Sequence, residues 1–130
     1  MRCLLFVPAL ILVSLLAACS VPAPTATIVP PARLSGGWTL KDAPPSTDAF
    51  PLAFKPIHSW RTSYQGPQDF IAYFYLFNSN TEAFEAVQKW QKAPGEITFH
   101  DGNFLIVIPA KDIPKQATGD FVEALMAAIH

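Results

Sequence analysis

Eight consecutive apolar residues, Phe70 to Phe77 (Phe-Ile-Ala-Tyr-Phe-Tyr-Leu-Phe), constrain the fold more than any other feature of the chain. Successive side chains of a strand point to opposite faces. A strand that never alternates with polar residues therefore needs cover on both sides, which predicts a central position in a sheet. Just before it, Ile57 to Tyr64 alternates in part, with His58, Trp60, Thr62 and Tyr64 on one side and Ile57, Ser59, Arg61 and Ser63 on the other. That pattern suits an exposed edge strand. Gln65-Gly66-Pro67 between the two runs is a turn signal.

A helix is expected next. Ser79 followed three residues later by Glu82 has the form of a capping box, and Ala83, Phe84, Val87 and Trp90 make one apolar stripe at helical spacing. Ala93-Pro94-Gly95 ends it. Asp101-Gly102, between Glu96–His100 and Asn103–Ile108, is a strong hairpin signal. With those two residues as the loop, Phe99 faces Phe104 and Ile97 faces Ile106. Ile97, Phe99, Phe104, Ile106 and Ile108 then share one buried face. A final helix, capped by Thr118 or Asp120, turns Phe121, Val122, Leu125, Met126, Ala128 and Ile129 inward.

The order is strand, strand, helix, strand, strand, helix, preceded by a short strand around Gly36 to Leu40 and a Pro-rich loop from Lys41 to Pro56. The expected class is α+β, an antiparallel-rich sheet of four to five strands with two helices on one face. Moving the first main strand to the end gives the ferredoxin-like β-α-β-β-α-β order, so a circularly permuted sandwich fits. In that arrangement Phe70–Phe77 and Asn103–Ile108 are central, and these are the most apolar runs. The more polar runs, Ile57–Tyr64 and Glu96–His100, fall at the edges.

The N-terminus carries the address. After Met1-Arg2, the stretch Leu4 to Leu16 is apolar except at Pro8 and Ser14. As a helix it covers about 20 Å, short of the ~30 Å hydrocarbon core, which makes it a signal-peptide core rather than a span. It ends in Leu16-Ala17-Ala18-Cys19-Ser20. This junction resembles the lipobox of bacterial lipoproteins: a leucine, two small residues and a cysteine. The resemblance implies diacylglyceryl transfer to the Cys19 thiol, cleavage before Cys19 and acylation of the new N-terminus. It also implies that Ser20, being other than Asp, directs the protein to the outer membrane, facing the periplasm, in a two-membrane host. The resemblance covers only the first twenty residues. The expected division is 1–18 signal peptide, 19–33 lipidated cysteine and Pro-rich tether, and 34–130 one domain.

Cys3, the other cysteine, lies in the signal peptide, so the domain is left without a disulfide, a thiol nucleophile or a thiolate ligand. With Arg2 gone, eight Lys/Arg face ten Asp/Glu, and no basic stripe marks nucleic acid as a partner. No G-x-S-x-G, H-E-x-x-H or glycine-rich phosphate loop is present. His58, His100 and His130 lack ligand spacing for a metal, and no cofactor motif stands out. In His100-Asp101 the aspartate belongs to the turn, and neighbours along a strand face opposite ways.

If both helices cover one sheet face, the other is left apolar, with Tyr73, Tyr75, Leu105 and Val107 beside His100 and Trp60. Such a face requires a cover. It can come from the N-terminal segment with Trp38, Leu40, Phe50 and Phe54, from a partner protein or second copy, or from a small molecule. The expected role is therefore a non-enzymatic interaction or accessory module held at a membrane by lipid on Cys19. The alternative is a small-molecule-sensing or transport-accessory domain.

Overall fold

A computed structural model describes residues 28–129. Five strands form one antiparallel sheet: β1 (Thr39–Asp42), β2 (His58–Gln65), β3 (Phe70–Leu76), β4 (Glu96–Asp101) and β5 (Phe104–Pro109). Helix α1 (Asn80–Lys89) joins β3 to β4, and α2 (Lys115–Ile129) follows β5. The strand order is β1-β2-β3-β5-β4. The class is α+β, as the residue pattern requires.

The two most apolar runs are central. β3 pairs with β2 from Tyr64–Phe70 to His58–Leu76 and with β5 from Tyr73–Val107 to Leu76–Phe104. β4 lies at one edge, but β2 does not lie at the other. β1 pairs with its C-terminal end, Leu40 opposite Tyr64, and Pro45 forms a bridge with Trp60. Ser46 N–H donates to Ser59 O and Arg61 N–H to Pro44 O, both at 3.0 Å. The Pro-rich loop therefore completes the hydrogen bonding that an edge strand would leave open.

Helix placement corrects the expectation. The helices lie on opposite faces of the sheet rather than together on one. Phe70, Ala72, Phe74, Phe104, Ile106 and Ile108 form a core with Phe121, Ala124, Leu125 and Ile129 of α2. Tyr75, Phe77, Leu105 and Val107 form a second core with Ala83 and Ala86 of α1. The strand order is still that of the permuted sandwich, but the sandwich itself is not made. In a β-α-β connection handedness forces the helix to one face. That fixes the face of α1, which joins the parallel strands β3 and β4, and α2 covers the face that α1 leaves bare.

Locally, Ser79 caps α1 as expected, but Glu82 reaches back to the residue before the cap rather than to Ser79 itself. Glu82 N–H donates to Ser79 Oγ at 3.1 Å, while Glu82 Oε1 accepts from Asn78 N–H at 3.3 Å. The inward stripe is rotated from the expected one: Ala83 and Ala86 are fully buried, and Phe84 is 48% exposed. Small residues let α1 lie close on β4 and β5. α2 begins earlier than Thr118 or Asp120. Pro114, which needs no N–H there, accepts at its carbonyl from Thr118 N–H at 3.0 Å and from the Thr118 hydroxyl at 3.1 Å.

The β4–β5 turn also differs in detail. Asp101 pairs with Phe104, Phe99 with Ile106 and Ile97 with Ile108. The loop is therefore Gly102-Asn103, with φ +57° at Gly102 and no positive φ at Asn103. Glycine at the first loop position is the type II′ preference. Because each partner moves by two residues, Ile97, Phe99, Phe104, Ile106 and Ile108 keep their common face.

The fold reaches back beyond the expected boundary at residue 34. Tyr64 O–H donates to Pro31 O at 2.7 Å, Leu40 N–H donates to Ala32 O at 2.8 Å, and Arg33 bridges Thr39. Residues 1–27, which hold the expected signal peptide, Cys19 and most of the expected tether, lie outside the described residues.

Candidate functional site

The six residues expected on an open face divide between two covered ones. Trp60 sits opposite Phe74 and therefore belongs to the α2 side, where its ring lies 6.1 Å from Phe104. Tyr73, Tyr75, Leu105, Val107 and His100 share the α1 side. There the expected opening is closed. Tyr75 is 6% exposed and Leu105 fully buried, beneath α1 and the aromatic residues of the Pro-rich loop. Phe50 lies 5.0 Å from Tyr75, 5.8 Å from Phe77 and 5.8 Å from Trp90, and Phe54 lies 5.6 Å from Phe77. Of the four residues suggested as a cover, Phe50 and Phe54 provide it. Trp38 and Leu40 pack with the other core.

Burial pushes the Tyr75 phenol up to about 12, with the charges of Tyr73, Asp48 and Glu96 adding to the effect. Burial likewise raises Tyr64 above the usual phenol range. His100 packs edge-on against Phe84 at 5.4 Å, whereas Asp101 is buried opposite Phe104 on the other face. The two therefore do not form a proton-transfer pair. Among the described residues no three His, Cys, Asp or Glu side chains gather as a metal site would require.

Two surface features of the described residues bear on binding. One is a half-buried strip of Ile71 and Tyr73, of which Tyr73 packs against the second core. Its neighbours on β2 are polar, with Arg61 opposite Tyr73 and Ser63 opposite Ile71. A cavity of about 420 Å³ adjoins it, lined in part by Lys41, Asp42, Ser63, Ile71 and Pro109. The other is a groove of about 560 Å³ between the start of β4, the loop after β5 and the first half of α2. Ile97, Ala110, Ile113 and Val122 give it apolar walls, with Gly119 between them and Lys111 and Lys115 also lining it.

Sequence reasoning missed the groove. Placing the start of α2 at Thr118 or Asp120 made Gly119 a terminal residue. The available signal was an isolated glycine inside an otherwise helical pattern downstream of Pro114, a costly residue there that points to a packing or functional use of the space.

Compared with protein-family models, with curated proteins and with solved structures, the chain matches none of them.

Proposed function

We propose that this protein is a cell-envelope lipoprotein, anchored through lipid on Cys19, whose folded part is a non-enzymatic interaction module. The observation that carries the reading is the Leu16-Ala17-Ala18-Cys19 junction at the end of an apolar run too short to span a bilayer. Two or three acyl chains at ~0.8 kcal/mol per buried methylene hold such a protein at the membrane essentially permanently. Ser20 after the cysteine supports the outer membrane as destination where the host has two membranes.

The position at which the fold takes hold supports a short leash. Among the described residues hydrogen bonding to the sheet reaches back to Pro31, and the twelve residues from Cys19 to there can span at most about 37 Å at ~3.1 Å each. The contact surface suited to a partner protein or a second copy is the Ile71–Tyr73 strip with its polar rim of Arg61 and Ser63.

Intact mass spectrometry of the mature protein tests the anchor. A product beginning at Cys19 and heavier by a diacylglyceryl group, with Cys19→Ala released from membranes, is the expected result. A bare thiol at Cys19, or an N-terminus downstream of it, overturns the reading. For the module, Ile71→Ser with Tyr73→Ser should remove partner or self association at a cost of about 1–3 kcal/mol in stability, since both side chains are half-buried. Loss of the fold instead would show the strip to be core.

A further inference from the structure

The groove beside β4 is built rather than incidental. Gly95 has φ +77°, and a Cβ there would lie 2.5 Å from Lys111 Cα, so only glycine lets the loop after β5 come this close. Ala110 N–H donates to Gly95 O at 3.1 Å, and Ile113 N–H donates to Ala110 O at 3.2 Å, which fixes that wall. On the opposite side the Thr118 hydroxyl is held by Pro114 O, so it faces its own helix rather than the groove.

Gly119 has no conformational reason to be glycine: it lies within the helix and its φ is not positive. An added Cβ would meet nothing within 4 Å. The helix therefore carries an unfavourable, exposed residue that leaves open space on the α2 side of the groove, whose other lining residues include Ile97, Ile113 and Val122. The charged lining of the groove is two lysines and one glutamate, one net positive charge. Lys111 and Lys115 line it, while the acid there, Glu96, accepts at Oε1 from Trp90 Nε1–H at 2.8 Å and from Ala93 N–H at 3.3 Å. Asp112 is exposed on the same loop without lining the groove.

We propose that this groove binds a single-chain anionic amphiphile, a fatty-acyl carboxylate. Its tail lies over Gly119 between Ile97, Ile113 and Val122, and its carboxylate meets Lys111 and Lys115. The volume falls in the ~300–1,000 Å³ range of small-ligand sites, and apolar walls with a few convergent polar groups are their usual composition. The inference does not depend on lipid at Cys19.

The test is displacement of the fluorescent fatty acid cis-parinaric acid from the full chain carrying Cys19→Ser, so that no attached acyl group competes. Tetradecanoate, below its micelle concentration, should displace the probe saturably. Shortening the competitor should weaken it by up to about fourfold per methylene, and tetradecanol should compete at least tenfold less well. Gly119→Leu should lose at least tenfold in affinity with the unfolding midpoint preserved, and Lys111→Glu with Lys115→Glu should abolish the preference for carboxylate over alcohol. All these chains share the same N-terminal residues, so differences between them report on the groove. Absence of saturable displacement, equal competition by alcohol and acid, or full binding by Gly119→Leu would each overturn the proposal.

Discussion

Replacing Phe121 by alanine should destabilise the protein by about 3–5 kcal/mol, toward the upper end of that range. Phe121 is fully buried and, with Ala124, Leu125 and Ile129, packs α2 onto the sheet. Its ring stacks on Phe70 at 4.1 Å with 5° between planes, and both Trp38 and Tyr64 meet it edge-on at 5.4 Å. Removing it loses the transfer energy of the ring, leaves a cavity among large neighbours that cannot collapse onto one another, and breaks aromatic contacts worth about 0.5–1.5 kcal/mol each beyond their area. With a urea m-value of about 2 kcal/mol/M, the midpoint should fall by roughly 2 M. A double-mutant cycle locates the effect. Phe121→Ala and Phe70→Ala should be coupled by about 1 kcal/mol or more, whereas Phe121→Ala and Leu105→Ala, on opposite faces of the sheet, should add within about 0.5 kcal/mol. A cost below about 2 kcal/mol, or coupling to Leu105 in place of Phe70, would refute the assignment of α2 to this face.

Ser79→Ala removes the acceptor for Glu82 N–H and should cost about 1 kcal/mol in urea unfolding, with Ser79→Asp restoring most of it. Gly119→Ala should stabilise by roughly 0.5–1 kcal/mol, since the added methyl touches nothing and helix propensity improves; destabilisation would show that the space is already filled. Gly95→Ala should cost at least about 1–3 kcal/mol in thermal unfolding, because a positive φ and a 2.5 Å approach to Lys111 Cα both oppose the new side chain. For Tyr75 the folded chain holds the phenolic proton more tightly than the unfolded chain does. Its contribution to stability is complete below the ordinary phenol value near 10 and is lost as pH rises toward about 12. Tyr75→Phe should therefore show a shallower alkaline fall in unfolding midpoint, and an unchanged slope would contradict the burial of that hydroxyl.

Much of the fold was legible in the residues because it rests on local physics. The capping pair Ser79 and Glu82, the turn after Gln65 and the hairpin near Gly102 are each set by chemistry within a few positions. Moving the hairpin loop from Asp101-Gly102 to Gly102-Asn103 left every side chain on its expected face, since two residues is one full strand period. The candidate site was less legible. Phe70 to Phe77 is apolar on both faces, so its pattern demanded two covers without saying which element supplied which. Phe84 and Ala86 exchanged roles for a similar reason: what lies under α1 depends on how close Leu105 and Val107 allow it to come.

By itself, then, the sequence determined the strands and helices, their antiparallel partners, the central place of the aromatic run and the lipobox-like junction at Cys19. Only the tertiary structure decided that the helices take opposite faces, that Trp60 parts from Tyr73, and that β2 gains a neighbour from the N-terminal segment. It alone brings Gly95, Ile97, Lys111 and Gly119 around one groove. The reason is range. Propensity, capping and alternation act over a handful of residues, whereas the choice of face and the closing of a groove depend on contacts between segments far apart in the chain, whose relative placement no local pattern encodes.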